Sequence, residues 1–316
     1  MGRYLVVRLS SLAATLFVLS LVVFALGSMI PGDPATALLG PYATAERVAA
    51  LQRDLGLGGS LPERYLVWLA HVLRGDLGHS YALDLPVREA ILERLRPTLM
   101  LGGSALVFAI CLGLLLGTLS ARHEGTPLGR ALDVLSLSGI SVPTFVLALF
   151  VMLLLAAWGQ LYPVSGMHAP PPAPRTLRDV AAHVVLPALS LGLVSASVIA
   201  RMTREYTREA RQADFVRVLQ AKGLSQTEVL YRHVFRVVVA KLAPVLGLQA
   251  GFVLGGAVYV ETIFQWPGLG RLLVDAVLKR DLLLTQGVTL TLATAYVLTT
   301  LAADLGQRAL DPRVDA

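Results

Sequence analysis

Six histidines are the side chains of this sequence best suited to acid–base catalysis or metal binding. They are scattered along the chain, at His71, His79, His123, His168, His183 and His233. The sequence contains no HExxH, no Gly-x-Ser-x-Gly and no phosphate-binding Gly-x4-Gly-Lys-Ser/Thr pattern. The single cysteine, Cys111, lies in an apolar run, and Asp133 and Asp304 stand at the edges of such runs. We therefore predict no catalytic, cofactor or metal site, and we expect His183 to be a satisfied residue beside a span.

Positive charge is concentrated in one segment, 201–241, which carries nine Lys and Arg residues against four acids. The whole chain is 55% hydrophobic and only 15% charged, with a mean hydropathy of +0.67. Soluble domains carry about 25% charged residues. The composition therefore predicts a polytopic membrane protein. Its net charge of +6 is typical of the positive excess on the cytoplasmic side of such proteins rather than of nucleic-acid binding.

Six apolar segments are long enough to cross a bilayer, for which about 20 residues are needed. They cover residues 9–32, 97–121, 134–158, 180–200, 242–260 and 282–303. The connection after the third segment includes HAPPPAP at 168–174, whose prolines predict a loop. The first segment is longer than the usual hydrophobic region of a signal peptide, so we expect an uncleaved anchor. The predicted fold class is all-α with six transmembrane helices.

Lysine and arginine in the connecting segments predict the orientation, because these residues favour the cytoplasmic side. Segment 31–96 carries seven of them against eight acids, unlike 201–241. The parts expected in the cytoplasm are both termini, 121–133 and 201–241, and those expected outside are 31–96, 159–179 and 265–281. The predicted organisation is an N-terminal transmembrane helix at 1–30, an outer helical insertion at 31–96, a core of five spans at 97–310 and a tail at 311–316.

The outer insertion contains two amphipathic patterns, AERVAALQRDLGL at 45–57 and PERYLVWLAHVLRGDLG at 62–78. Four apolar residues of the second recur at helical spacing, namely Tyr65, Leu66, Leu69 and Leu73. We therefore predict a small helical domain on the outer surface. Two roles stay open for it. In the first, the domain only packs against the ends of the spans. In the second, it contacts an external partner or covers the mouth of a pore.

A candidate outer-face gate follows the fifth span, in ETIFQWPGLGRLLVDAVLKRD at 261–281. Trp266 suits the membrane interface, where amphipathic rings settle. Pro267, Gly268 and Gly270 predict a turn, after which a short amphipathic helix follows. Glu261 lies near the outer end of the span. A carboxylate at membrane depth indicates a functional site, and a hydrated helix end is the milder alternative.

The basic segment contains two helical patterns, and Gly223 is placed to end the first, which runs from about 201 to 222. Ser225 can cap the second pattern, with Glu228 completing a capping box and pairing with Arg232 one turn later. The second pattern has an apolar stripe formed by Leu230, Val234 and Val238. This helix–turn–helix suits an amphipathic hairpin on lipid headgroups, a DNA-binding motif or a docking element for a cytoplasmic protein. Its attachment to spans at both ends argues against DNA.

The hairpin resembles the cytoplasmic loop of bacterial ABC importer permeases, and in particular of their peptide/nickel branch. That branch tends to read D-[FY]-V-R-x-x-x-A-K-G-L-S and then V-L-x-R-H-x-x-R, and this chain reads DFVRVLQAKGLS at 214–225 and VLYRHVFR at 229–236. The general Glu-Ala-Ala signature of such loops is replaced here by Arg217, Val218 and Leu219. Further similarity to the first permease of that branch lies in IPGDP at 30–34, RYLVWLAHVLRGDLGHS at 64–80, RPTL at 96–99, FQWPGLGRLLVDAVLKRD at 264–281 and ALDPRV at 309–314.

The resemblance implies a type I importer permease in the bacterial inner membrane that forms half of a pore with a second, homologous permease. Two separate ATP-binding subunits would dock on the hairpin, and an external solute-binding protein would deliver the solute. The residues implied in docking are Asp214, Arg217, Ala221, Lys222, Gly223, Leu224, Ser225, Arg232 and Arg236. The branch handles dipeptides, oligopeptides, nickel chelates and glutathione. Peptides are the expected substrate, although no residue of this sequence discriminates among the four.

Two other classes of membrane protein compete with this interpretation. An intramembrane protease requires a catalytic constellation, which the sequence lacks. A secondary transporter usually has charged residues near the middle of its spans, and the six predicted spans have none there. Because the phosphate-binding pattern is also missing, ATP hydrolysis is expected to come from another polypeptide.

Overall fold

The computed structural model describes residues 2–29, 44–54, 59–157, 163, 165–171 and 175–310. Its elements, in chain order, are α1 (Gly2–Met29), α2 (Ala45–Asp54), α3 (Leu61–Leu73), β1 (His79–Ser80), β2 (Leu85–Pro86), α4 (Val87–Arg122), α5 (Pro127–Ser141), α6 (Thr144–Ala157), α7 (Leu177–Arg211), α8 (Asp214–Ala221), α9 (Gln226–Glu228), a π-helical turn (Val229–Val234), α10 (Phe235–Ile263), α11 (Leu269–Leu278) and α12 (Leu282–Leu310). The segments 30–34 and 311–316 lie outside the described residues, and so does 172–174 of the proline-rich connection.

Five helices of the described chain are long and apolar enough to cross a membrane, namely α1, α4, α7, the continuous helix Gln226–Ile263 and α12. The remaining predicted span, 134–158, is not one helix, because α5 and α6 meet at 106°. The bend falls at Val142, which has extended backbone (φ −98°, ψ 125°) since the following proline disfavours helical backbone there. The predicted number of six is therefore reached when this bent pair counts as a single span.

The chain divides into two compact units, of which the first comprises Met1–Pro97 and Pro267–Val297. Both predicted outer helices are present in it as α2 and α3. A short antiparallel hairpin that no sequence pattern indicated follows them, in which His79 pairs with Pro86 and Ser80 with Leu85. The core of this unit is formed by buried residues of α4, α11 and α12, including Val87, Ile91, Leu269, Leu272, Leu284 and Val288.

A buried carboxylate joins the hairpin to the start of α12 within the first unit. Asp281 is 1% exposed and accepts hydrogen bonds from Ser80 Oγ at 2.7 Å and from the backbone N–H of Leu284 at 3.0 Å. The second bond occupies one of the free N–H groups at the first turn of α12. A charge buried at this depth needs such partners, so Asp281 holds two segments that are far apart in the sequence.

The second unit comprises Thr98–Trp266 and Leu298–Ala316, and its helices approach one another closely. A Cβ added at Gly113 would lie 2.6 Å from Cβ of Ile199, and one added at Gly192 would lie 2.5 Å from the carbonyl oxygen of Ala105. Small residues at such crossings allow the backbones of membrane helices to pack tightly. The core around them draws on α4, α6, α7 and α10, and includes Leu101, Ala148, Leu191, Val253, Phe264 and Trp266.

Candidate functional site

The turn at Gly223 is a Schellman motif, which ends α8 with defined hydrogen bonds. Gly223 has φ +85°, and its N–H donates to the carbonyl of Gln220 at 2.9 Å. The N–H of Leu224 reaches back to the carbonyl of Leu219 at 3.3 Å. A left-handed residue at this position is usually glycine, because other side chains strain it. The structure thus places the predicted helix stop at Gly223.

Ser225 caps the helix that follows this turn. Its Oγ accepts a hydrogen bond from the backbone N–H of Glu228 at 3.2 Å, as the sequence predicts. The reciprocal half of the capping box is not made in this turn, since the Glu228 carboxylate instead contacts Arg232 at 3.4 Å. The turn between α8 and α9 is therefore held by local hydrogen bonds on both sides.

The predicted extent of the first helix of the hairpin is wrong in one respect. The pattern from 201 to 222 is broken after Arg211, where Ala213 has extended backbone (φ −69°, ψ 148°) before α8 begins. Neither glycine nor proline marks this break in the sequence. The new direction of α8 lets Val216, 4% exposed, enter an apolar cluster with Ala210 of α7, so tertiary packing decides the break.

A π-helical turn at Val229–Val234 joins α9 to α10, and it too was missed from the sequence. Its wider winding brings Leu230, Val234 and Val238 into the same buried cluster, where they are 8%, 0% and 0% exposed. These residues are the predicted apolar stripe, whose burial is confirmed. Single π turns within α-helices occur frequently at functional sites. Because the helix continues from Gln226 to Ile263, the second half of the hairpin is the N-terminal end of a helix long and apolar enough to cross a membrane, rather than a short helix of its own.

The predicted docking residues lie together on the surface of this turn. The side chains of Asp214, Arg217 and Arg232 are 96%, 80% and 75% exposed. Ala221, Lys222, Gly223, Ser225 and Arg236 are exposed as well, and Leu224 is half-buried. The Asp214–Arg217 pair is 3.7 Å apart, and an ion pair this exposed contributes little to stability. The turn thus combines a rigid buried side with an exposed charged side.

A cleft of about 270 Å³ lies beside the turn and adds residues that the sequence did not indicate. It is lined by Gln220, Gln226 and Thr227 of the hairpin and by Arg122 and Arg211 at the ends of α4 and α7. Arg211 donates to the carbonyl oxygen of Ala121 at 2.9 Å. The two arginines give the cleft a positive character, and their separation from the hairpin in sequence explains why no local pattern revealed them.

An ion-pair network centred on Arg204 connects the ends of three helices in the same unit. Arg204 Nε lies 2.9 Å from Asp133 Oδ1, and its Nη1 lies 2.9 Å from Glu205 Oε1. Ser120 Oγ also donates to Asp133. Asp133 was predicted only as a residue at a span edge. The structure shows that it ties α5 to α7 and, through Ser120, to α4.

Glu261 is not a hydrated helix end, which was the milder of the two alternatives for this residue. It is 0% exposed and accepts a hydrogen bond from Thr98 Oγ1 at 2.7 Å. Trp266 is also 0% exposed and belongs to the core of the second unit, so its expected position at the lipid interface was wrong as well. Its backbone N–H donates to the carbonyl of Glu261 at 2.8 Å. Both corrections have one cause, since protein rather than lipid or water surrounds these side chains.

The other outer-face candidates belong to the first unit. Gly268 stands immediately before α11 and has extended backbone (φ −104°, ψ −178°). Gly270 is buried inside α11 rather than in the turn. The predicted short amphipathic helix is confirmed as α11. His183 is 5% exposed, and its Nδ1 lies 2.8 Å from the carbonyl oxygen of Asp179, so it is satisfied as predicted. Within the described residues, no group of three or more His, Cys, Asp or Glu residues is arranged to hold a metal ion.

Removal of the Ser225 cap is expected to loosen the turn without unfolding the chain. Ser225→Ala leaves the N–H of Glu228 without its acceptor, and loss of such a cap costs about 1 kcal/mol of local stability. We expect faster amide hydrogen exchange in 223–231, measured by mass spectrometry of the full-length protein. Ser225→Asp is the matched control, because aspartate caps as well as serine. Equal exchange in Ser225→Ala and the unsubstituted chain would contradict the capping role.

The fold and the exposed helical turn define the class of protein, the membrane-spanning permease of a type I ABC importer. An inward-facing structure of the MetNI methionine ABC transporter has the same fold, with a TM-score of 0.57 over 70% of this chain and 95% of that chain at 17% identity. The family described as binding-protein-dependent transport system inner membrane component matches residues 80–316, and its N-terminal companion matches 1–102. The chain belongs to this family.

Curated relatives match over almost the whole length. The probable peptide ABC transporter permease y4tP of Sinorhizobium fredii is 34% identical, and the dipeptide transport system permease DppB of Escherichia coli is 35% identical. The glutathione transport system permease GsiC of Salmonella choleraesuis is 35% identical. Each match covers 99% of this chain and 99% of the relative. The chain is thus a non-catalytic inner-membrane subunit, and ATP hydrolysis belongs to a partner subunit.

Proposed function

We propose that this permease forms one half of the pathway by which an ATP-driven importer moves small peptides across the inner membrane. The turn formed by 214–236 docks on a separate ATP-hydrolysing subunit, and the docking residues are those predicted above. One observation carries this proposal: the turn is rigid on its buried side and charged on its exposed side. A docking surface that transmits force needs both properties, because a disordered loop would absorb the motion of the partner.

The buried side of the turn gives a direct route from the docking surface to the spans. Val216 and Leu230 share one apolar cluster with Ala210 of α7, and Leu114 of α4 packs against it. Movement of the turn as a rigid body therefore displaces the ends of α4, α7 and α10 together. The Gln226–Ile263 helix has 38 residues, and at about 1.5 Å per residue it extends roughly 55 Å. The helix that begins beside the docking turn is thus the same one that carries Glu261.

The proposed orientation places both termini, 121–133 and 201–241 in the cytoplasm. The excess of Lys and Arg in 201–241 supports it. The assembly would contain a second, homologous permease, two ATP-binding subunits and an external solute-binding protein. Residues 31–96 and 264–281 lie on the outer side in this arrangement, where Glu261, Trp266, Pro267, Gly268 and Gly270 form or support the outer gate.

Peptides are the substrate class best supported by the relatives. The names of these relatives specify a peptide, a dipeptide and glutathione, which share amide bonds and free carboxylates. The spans of this chain are rich in glycine, alanine and serine. Such an apolar lining of small residues offers little selectivity, so we assign the choice of solute to the external binding protein.

The experiment that tests this function is uptake by the complete importer in proteoliposomes, with a radiolabelled dipeptide and the neighbouring solute-binding protein. We expect accumulation that requires internal ATP and persists when a protonophore collapses the ion gradients. Competition by unlabelled glutathione separates the dipeptide from the glutathione alternative. Uptake that a protonophore alone abolishes while ATP is present would contradict the proposal and favour a secondary transporter.

A further inference from the structure

Helix α3 (Leu61–Leu73) packs on α1 through an aromatic cluster, and the position of that cluster is informative. Tyr65 is 8% exposed and its ring lies edge-on to Phe24, with centroids 5.4 Å apart. Trp68 lies 5.6 Å from the same ring. The hydroxyls of Tyr65 and Ser20 form a buried hydrogen bond of 2.8 Å. These contacts fix one side of α3 against the anchor helix.

The contacts lie within the apolar span of α1 rather than beyond its end. The part of α1 that is apolar enough to cross a membrane includes Ser10–Gly27, and Ser20 stands seven residues before Gly27. At about 1.5 Å per residue, the Ser20–Tyr65 bond is roughly 10 Å along the helix from Gly27 and therefore well inside the apolar run. Phe17, whose ring is 6.4 Å from that of Tyr65, is deeper still. A helix that only rested on the tip of α1 could not reach these residues.

The apolar surface of α3 is wider than the part that α1 covers. Leu66 and Leu73 lie seven residues apart on one face, and they are 63% and 79% exposed. The neighbouring apolar surface of α1 is uncovered too, with Phe17 and Val18 52% and 55% exposed. Exposed apolar residues of both helices therefore flank their contact, and the exposed surface of a membrane span is a surface for lipid.

The opposite sector of α3 is polar and stays charged. It contains Glu63, Arg64, His71 and Arg74, with the exposed Val67 among them. The pKa of Glu63 is lowered by the hydrogen bond that its carboxylate accepts from the Ser60 backbone N–H. The pKa of Asp76, just beyond the helix, is lowered by the Gly78 N–H and by His71. Both carboxylates are ionised at neutral pH, so this sector requires water.

We propose that α3 is an interfacial helix embedded in the membrane leaflet at the C-terminal end of α1. The lipid of that leaflet covers the exposed apolar sector of α3. A helix with one apolar and one charged sector lies in the plane of the interface, its apolar sector about 5–10 Å below the headgroups. Tyr65 and Trp68 then pack on the apolar run of α1, Leu66 and Leu73 contact acyl chains, and the arginines reach the headgroups. Under the proposed orientation this is the outer leaflet.

This embedding bears on the role of the outer insertion, for which the sequence left two alternatives open. Residues 61–73 are anchored by lipid and by α1, and the hairpin at 79–86 follows directly. A solute-binding protein that approached this unit would meet the polar sector of α3 and not its leucines. The proposal itself depends only on α1 spanning the membrane, so it stands whichever solute is transported.

The test is a nitroxide label at single cysteines of the full-length chain, assembled with its partner subunits in vesicles of phosphatidylethanolamine and phosphatidylglycerol. In a Cys111→Ser background, Leu66→Cys and Leu73→Cys report the apolar sector. Val67→Cys is the control in the polar sector, because this exposed residue is three residues after Arg64 and four before His71. Collision with oxygen reports lipid, and collision with a neutral nickel chelate reports water. We expect the oxygen-to-nickel ratio at both leucines to exceed that at Val67 by at least about tenfold, as for an apolar sector below the headgroups.

Two outcomes would overturn the proposal. High nickel collision at Leu66 and Leu73 would place α3 in water, above the bilayer. Low collision with both reagents would mean that protein covers this face. Each labelled variant is also assayed for ATP-dependent uptake, so that a variant with disturbed assembly is recognised. If the unlabelled Cys111→Ser importer takes up no peptide while the labelled variants give the expected collision pattern, the proposed function is contradicted and the interfacial helix stands.

Discussion

Gly223→Pro is expected to lower ATP-dependent uptake by at least about tenfold, an effect for which a loss of only ~1.4 kcal/mol of docking free energy suffices. Gly223 has φ +85°, whereas the proline ring holds φ near −65°. Proline also removes the N–H that donates to Gln220, and it disfavours the helical backbone of Lys222. The turn must therefore open, while the buried cluster below it keeps the spans in place. The measurement is uptake by the complete importer in proteoliposomes, beside its ATP hydrolysis.

Two further substitutions at Gly223 separate backbone shape from side-chain contact. Nothing lies within 4 Å of a Cβ built at this position, so a small side chain meets only the strain of the left-handed backbone. That strain is about 1 kcal/mol for alanine and less for asparagine, which visits this conformation more readily. Uptake should thus be highest in Gly223→Asn, lower in Gly223→Ala and lowest in Gly223→Pro. Normal uptake by Gly223→Pro would contradict the assignment of this turn as the docking element.

Trp266→Ala is expected to destabilise the second unit by about 3–5 kcal/mol, the usual cost of removing a buried tryptophan side chain. Trp266 is 0% exposed and packs in the cluster that also holds Phe264 and Leu191. The shorter side chain leaves a cavity that a close-packed set of helices fills only in part. Thermal unfolding of the purified chain in lipid nanodiscs measures the loss.

The matched variants for this prediction are Trp266→Phe and Trp68→Ala. Phenylalanine keeps most of the apolar volume, so it should lower the unfolding temperature less than alanine does. Trp68 is only half-buried in the contact with α1, and its removal should also cost less. A negligible effect of Trp266→Ala would indicate that Trp266 lies at the lipid interface, as the sequence alone predicted.

Local signals in the sequence predicted the elements well. Five of the six apolar runs correspond to helices long and apolar enough to cross a membrane, and the stop at Gly223 and the cap at Ser225 were placed correctly. These features depend on a few neighbouring residues. Glycine alone tolerates the left-handed turn readily, and a serine hydroxyl bonds the N–H three residues on. The docking residues were instead named from the resemblance to importer permeases, and their role stays a prediction.

Features decided by distant residues were not predictable in this way. The break at Ala213 and the π turn at Val229–Val234 bring apolar residues into a cluster shared with α7. Glu261 is buried because Thr98, far away in sequence, satisfies its carboxylate. Asp281 is buried with Ser80 for a similar reason. Hydropathy alone describes each segment by itself, so it cannot tell whether lipid, water or protein will surround a side chain.

Cross-linking at Lys222 tests the central claim most directly, because that claim is contact between this turn and a separate ATP-hydrolysing subunit. Lys222→Cys in the Cys111→Ser background places one thiol at the exposed tip of the turn. A maleimide–benzophenone cross-linker is attached to this thiol and photoactivated in the complete importer in inside-out membrane vesicles, so that no cysteine is needed on the partner. The account predicts a covalent product of this chain with the ATPase subunit, formed at a rate that changes when ATP binds. Cross-linking to no ATPase subunit in a fully assembled, active importer would contradict it.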